Sequence, residues 1–163
     1  MSKVYIGIDN GVTGTVGVVG DEILPVFVKI PTKTEQNYTK AKQNITRVDC
    51  SALKNLLETY SGCNVMVAME RPMVNPSRFK ATTSALRCLE AELIVIELLK
   101  YPHVFIDSKE WQRVLLPKGI KGCDEQKKAS LDIGNRLFPQ FQGAKHPDRD
   151  GILIAEYVRR LNL

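Results

Sequence analysis

The chain has 163 residues, 44% of them hydrophobic and 25% charged, which fits one soluble globular domain spanning 1–163 with a sizeable core. No apolar run approaches the roughly 20 residues that span a bilayer, and Met1–Ile6 enters a strand-like run without a signal-peptide layout. Membrane, secreted and collagen-like classes are thereby excluded and a cytoplasmic protein is expected; the net charge of +5 alone argues only weakly for a polyanionic partner.

In chain order, Val4–Asp9 reads as a strand, and Asn10-Gly11 as a hairpin turn signal. Thr15–Val19 and Ile23–Ile30 supply two more strands, separated by Gly20-Asp21-Glu22, so the chain opens with an antiparallel trio. Residues 31–45 are polar, basic and loop-like. Val48, Leu53, Leu56 and Leu57 fall at helical spacing and predict a helix over 46–60. The apolar run Val65–Met69 predicts a strand buried on both faces, ending in Glu70-Arg71-Pro72. A long helix over Thr82–Lys100 follows, with an apolar surface wider than one stripe. Val104–Ile106 predicts a short strand, 108–116 and 124–137 two helices joined by the basic linker Pro117–Gly122, and Asp148–Leu161 the last helix. This order is that of a mixed α/β layer fold.

Cys50, Cys63, Cys88 and Cys123 are 13, 25 and 35 residues apart, with no CxxC pair and neither histidine beside them. That spacing predicts reduced structural cysteines rather than a zinc site or a disulfide framework.

Three acids stand apart from those on helix surfaces. Asp9 closes the first apolar strand, Glu70 closes the other strongly apolar one, and Asp150 lies on the first turn of the last helix, just before Gly151-Ile152-Leu153-Ile154-Ala155. A carboxylate on a buried element is costly unless it is paired or binds a metal. Neighbouring strand ends bring distant residues to one rim, where a hard divalent cation relieves the repulsion of clustered carboxylates. Asp148 and His146 are placed to complete the shell. Turn chemistry at Asp9, pairing of Glu70 with Arg71 and helix capping by Asp148 are the structural alternatives. Two acid-poor basic stretches, Lys29–Arg47 (Glu35 its only acid) and Arg71–Arg87, point to a phosphate-binding face.

Gly7-Ile8-Asp9-Asn10-Gly11-Val12-Thr13-Gly14-Thr15, then Val67-Ala68-Met69-Glu70-Arg71-Pro72, then Asp148-Arg149-Asp150-Gly151-Ile152-Leu153-Ile154-Ala155 resemble the three acidic motifs of RuvC-type Holliday-junction resolvases, in the RNase H-like superfamily and near its phage-borne branch. The likeness spans nearly the whole chain and includes Asn75–Lys80, the Ala85–Leu99 helix and Trp111 before a lysine-rich linker. It implies an α/β RNase H-like fold with a five-stranded mixed sheet, three antiparallel strands then two parallel, flanked by helices. It implies a symmetric homodimer in a bacterial or phage-infected cell, cutting four-way or branched DNA by two-metal hydrolysis with Mg2+, for which Mn2+ substitutes.

By the same resemblance Asp9, Glu70 and Asp150 are catalytic metal ligands. The position three residues before Asp150 is Pro147, so Asp148 or His146 must serve as the fourth ligand, with Asp148 favoured as the harder one. Asn10 replaces a proline common in the family, and these two departures bear on the second metal site. Lys33, Lys40, Lys42, Arg71, Arg78, Lys80, Lys109, Arg113, Lys118, Lys121, Lys127 and Lys128 are the candidate DNA-phosphate contacts. Another RNase H-like nuclease, acting on flaps, RNA or RNA–DNA hybrids, shares the acid pattern. Asp9-x-Gly11 with Thr13-Gly14-Thr15 also resembles the phosphate loop of actin-like kinases and ATPases, an architecture needing two such domains. On the long helix, Leu86, Leu89, Leu93, Val95 and Ile96 are the candidate dimer contacts.

Overall fold

Strands β1 (Lys3–Ile8) and β2 (Thr15–Gly20) are apolar on both faces, and both faces are covered. A computed structural model describes residues 1–163. Alternation divides the strand residues between two cores. Val4, Ile6, Ile8, Val16 and Val18 point to one side, while Tyr5 and Val19 point to the other.

The remaining elements are β3 (Val26–Lys29), β4 (Thr32–Gln36), β5 (Asn44–Val48), α1 (Cys50–Glu58), β6 (Asn64–Glu70), α2 (Phe79–Leu98), β7 (His103–Ile106), α3 (Ser108–Leu115), α4 (Cys123–Leu137) and α5 (Asp150–Leu161). The five-stranded sheet runs β3-β2-β1-β6-β7. The β1–β2 and β2–β3 pairs are antiparallel, and β1–β6 and β6–β7 are parallel. The mixed order expected from sequence is therefore present. Leu53 and Leu57 of α1, with Cys88, Val95 and Ile96 of α2, close the first core. Trp111 and Leu115 of α3 and Ile152–Ala155 of α5 close the second.

Several elements differ from the sequence reading, among them the last helix, which starts at Asp150 and not at Asp148. Residues 31–45 are not a loop: Thr32–Gln36 pairs antiparallel with Asn44–Val48 as a separate two-stranded ribbon. Its polar strands show little apolar alternation because only Val48 is buried. The helix predicted over 46–60 starts at Cys50, where the Asp49 side chain accepts the Ala52 N–H at 3.1 Å. The strand predicted over 23–30 narrows to Val26–Lys29, and the long helix starts three residues early, at Phe79. The Asn10-Gly11 signal marks a wider turn, closed by Asp9 N–H to the Thr15 carbonyl at 3.0 Å and Gly14 N–H to Gly11 at 2.9 Å.

Helix α5 lies unusually close to the sheet. Gly7 and Gly17 are cross-strand partners. A Cβ on Gly7 would sit 2.2 Å from the Gly151 carbonyl oxygen, and one on Gly17 would sit 2.1 Å from the Ile152 Cα. These glycines open a flat seat for the first turn of α5. That seat sets Asp150 beside the end of β1.

Candidate functional site

Asp9 follows the last residue of β1, Glu70 is the last residue of β6, and Asp150 is the first residue of α5. β1 and β6 are parallel neighbours, so their C-terminal ends share one rim. Asp9, Asp148 and Asp150 each place one carboxylate oxygen within 4.8 Å of the others. Carboxylate oxygens gathered this closely would hold a shared hard cation.

No lysine or arginine forms an ion pair with Asp9 or Asp150, and Asp148 pairs only with His146. The electrostatic consequence is direct. Burial pushes the Asp150 carboxyl up to about 7, with Asp148 and Glu70 adding to the rise, and the Ser130 hydroxyl and Lys127 opposing it. Asp9 is held well above the usual carboxylate range, first by burial and then by Asp150, Glu70 and Asp148. This donor set is made of oxygen atoms and lacks a cation. It fits a divalent metal.

Asp148 is buried and its Oδ1 also accepts the Asp150 N–H at 3.2 Å, so it caps the helix while joining the acid group. His146 is turned differently. Its Nε2 meets the Thr13 carbonyl oxygen at 3.0 Å, and its Nδ1 lies 3.2 Å from Asp148 Oδ1. Both ring nitrogens are thus engaged, and His146 braces Asp148 against the β1–β2 turn instead of standing within the acid group.

Glu70 stands beside that group, not within it. Its Oε2 accepts the Trp111 indole N–H at 2.7 Å, which opposes the upward shift that burial imposes on this carboxyl. The pocket it lines also contains Asn10, Arg71 and Arg78. The cleft over the aspartates is lined in addition by Thr13, Lys29, Thr32, Lys127 and His146.

The basic candidates scatter by role. Lys127 lines the acid cleft, and Lys109, Arg113 and Lys118 line a groove with Gln112 and Gln126. Lys128 lines an adjoining depression with Glu125 and Asp132, while Lys80 and Lys121 are exposed. Lys33 is paired with Glu35 at 2.8 Å and Arg71 with Asp107 at 2.9 Å, so neither is a free cation. Lys40 and Lys42 lie in the loop joining β4 to β5.

Three buried polar residues near the site were not singled out from sequence. Ser130, buried on α4, donates to Asp150 Oδ1 and accepts the Arg149 N–H at 3.0 Å. Glu92 on α2 is fully buried, with neither oxygen in a full hydrogen bond, and burial pushes it up to about 8. Arg149 is 1% exposed and spends all five of its N–H bonds on oxygen acceptors. They are Asn135 Oδ1 at 3.1 Å and the carbonyls of His146 (3.0 Å), Asp148 (2.7 Å), Phe141 (2.9 Å) and Ala144 (3.1 Å). The guanidinium also lies 5.1 Å from the Phe27 ring centre. A neutral cage thereby holds a buried cation that shapes the loop carrying Asp148. Only an arginine flanked by two aspartates marked it in the sequence.

No protein-family model matches the chain, and no curated protein matches it. Solved structures do. Thermus thermophilus RuvC bound to a Holliday-junction substrate is 17% identical, covering 98% of this chain and 96% of that one at a TM-score of 0.59. A second Thermus thermophilus RuvC structure gives 18% identity, the same coverage of 98% and 96%, and a TM-score of 0.55. The chain has a RuvC-like, RNase H-like fold from end to end, with its acid group at the rim where β1, β6 and α5 meet.

Proposed function

We propose that the chain is a structure-selective DNA endonuclease that resolves Holliday junctions, acting over 1–163 as one nuclease domain. The observation that carries this reading is the cation-free group of Asp9, Asp148 and Asp150, with Glu70 adjoining it, on a RuvC-like fold. One of the solved neighbours is a RuvC bound to a Holliday-junction substrate. The phage-borne branch is the one its motifs resemble.

The three aspartates, with Glu70 from the adjoining side, would hold Mg2+ or Mn2+, two ions in the reading we favour. Such ions supply a nucleophilic water and charge stabilisation for phosphodiester hydrolysis. The chain's own residues do the rest. Ser130 and Trp111 orient the Asp150 and Glu70 carboxylates, and Lys127 places a positive charge at the cleft for a phosphate. The groove of Lys109, Arg113 and Lys118 offers further backbone contacts.

The test is a cleavage panel of a four-way junction, a flap and an RNA–DNA hybrid, each with MgCl2. Preferential, paired cutting of the junction is expected. Preference for the flap or the hybrid would assign the acid group to another RNase H-like nuclease.

Paired cuts require two copies of the site, most simply in a C2 dimer. Val95 and Ile96 of α2 are buried against the sheet and are removed from the dimer candidates. Leu89 and Leu93 pack partly against the same core. Leu86, Ile94 and Leu98 remain exposed at 43%, 46% and 66%, so the α2 interface is proposed there. Ile94→Glu is expected to give a folded monomer that nicks junctions singly, with light scattering reading the mass. A wild type of 18.3 kDa at micromolar concentration that still makes paired cuts would refute the dimer.

A further inference from the structure

The β4–β5 ribbon contributes little to either core. Its strands are exposed except at Val48 and, in part, Glu35 and Ile45. Isolated two-stranded hairpins are marginal in water, yet this one is braced at both ends. At the root, Asp49 N–H donates to the Pro31 carbonyl at 2.8 Å. At the tip, Asn37 N–H donates to the Gln43 carbonyl at 2.7 Å, Lys42 N–H to Thr39 at 3.0 Å, and the Asn37 side chain accepts from the Thr39 N–H at 3.1 Å. This ordered tip displays Tyr38 at 97% exposure, between strands bearing few apolar groups for it to cover. Lys40 and Lys42 follow it in the same loop, each outside any ion pair, while Glu35 ties up both Lys33 and Arg47.

The root of the ribbon is part of the acid site. Lys29 and Thr32, on either side of its first turn, line the cleft over Asp9 and Asp150. A strand of five residues rises about 17 Å at about 3.4 Å each. That span is roughly five base pairs of duplex, and the major groove, about 12 Å wide, admits a two-stranded ribbon. The excess of cations suits a polyanion, and a fully exposed aromatic on a rigid tip suits stacking on or packing against bases.

We propose that the β4–β5 ribbon is a DNA-contact arm, lying in a groove of the duplex that leads away from the cleavage cleft. Lys40 and Lys42 contact phosphates about five base pairs from the cut, and Tyr38 packs against nucleotides there. This deepens the nuclease reading and rests on it for the placement of the cut.

Asn37 and Gln43 form the last hydrogen-bonded pair of the ribbon, so replacing Tyr38–Lys42 by Asn-Gly closes it with a two-residue turn. Binding to a four-way junction, measured against salt with Ca2+ in place of Mg2+, is expected to lose about 1.8 from its log–log slope, about 0.9 for each lost cation. Hydroxyl-radical protection about five base pairs from the cut is expected to vanish, and Tyr38→Ala alone to weaken binding about tenfold. An unchanged melting temperature shows that the shortened protein is folded. An unchanged slope and footprint would overturn the arm while leaving junction cleavage standing. Ribbon-dependent binding without any cleavage by the parent protein would leave the arm standing and remove the nuclease reading. A parent that binds no DNA would overturn both.

Discussion

Asp150→Asn is expected to lower junction cleavage by about 10³-fold or more and, at the same time, to raise the melting temperature of the metal-free protein at pH 8. On the proposed nuclease function, the loss follows from removing one charged candidate ligand from a group of three carboxylates; about 4 kcal/mol of transition-state stabilisation corresponds to that factor. The gain in stability follows from linkage. In the folded chain the Asp150 carboxyl titrates at about 7, whereas an unfolded aspartate titrates near 4. Between those values folding takes up a proton, so this group weakens the metal-free protein as pH rises through the window. Its destabilisation is complete above pH 7, at about 4 kcal/mol as an upper bound, and absent below pH 4.

Asp9 and Glu70 shift in the same direction, first through burial, so the metal-free wild type as a whole is expected to be more stable at pH 5 than at pH 8. Asparagine cannot ionise and still accepts from Ser130. About 2 kcal/mol of relief at pH 8 corresponds to about 4–8 °C, and the difference shrinks at pH 5. Magnesium is expected to stabilise the wild type at pH 8 by about 2.7 kcal/mol at a hundredfold excess over its dissociation constant, and the variant by far less. Calorimetry in EDTA and in MgCl2 at both pH values checks each part. A variant less stable than wild type at pH 8 would show that the carboxylate serves the fold rather than a metal.

Arg149→Met carries the second large effect. The change takes the donor from Asn135 Oδ1 and from the His146 and Asp148 carbonyls, and leaves the Phe141 and Ala144 carbonyls only their backbone partners, in a loop whose other anchor is the His146 bridge to Thr13. Acceptors left unmatched in a largely desolvated site cost about 1–3 kcal/mol each, and over the three that lose their donor, with partial relaxation, the sum is about 4 kcal/mol. That is a fall of about 8–16 °C in melting temperature. Arg149→Lys is expected to recover little, since an ammonium has three donors and no planar fork. Because the same loop carries Asp148, metal affinity read by titration calorimetry is expected to fall in Arg149→Lys even where the protein remains folded. A loss below about 1 kcal/mol in Arg149→Met, with unchanged metal binding, would reduce Arg149 to a packing residue.

The periodic elements were legible from the sequence because local pattern and burial coincide in them. β1, β2 and β6 announce themselves as apolar runs, and α3, α4 and α5 end within two residues of their expected bounds. Asp9, Glu70 and Asp150 stood out for a physical reason visible in one dimension, a carboxylate attached to a buried element. The polar ribbon over 32–48 left no apolar trace because hydrogen bonds and ion pairs, not a core, hold it.

Everything that depended on which side chains meet across the fold lay beyond the sequence. Asp148 and His146 are two residues apart, and only the Thr13 carbonyl, reached from 133 residues away, shows which of them joins the acid group. The Trp111 tie to Glu70 spans 41 residues. The sheet-facing side of α2 was undecided among five apolar candidates until packing buried Val95 and Ile96. Arg149 reads as a surface cation in any local window, and it becomes a buried keystone only where five oxygen atoms from separate turns converge on it. Short-range periodicity determined the elements and their order; long-range desolvation and hydrogen bonding decided how the site is assembled.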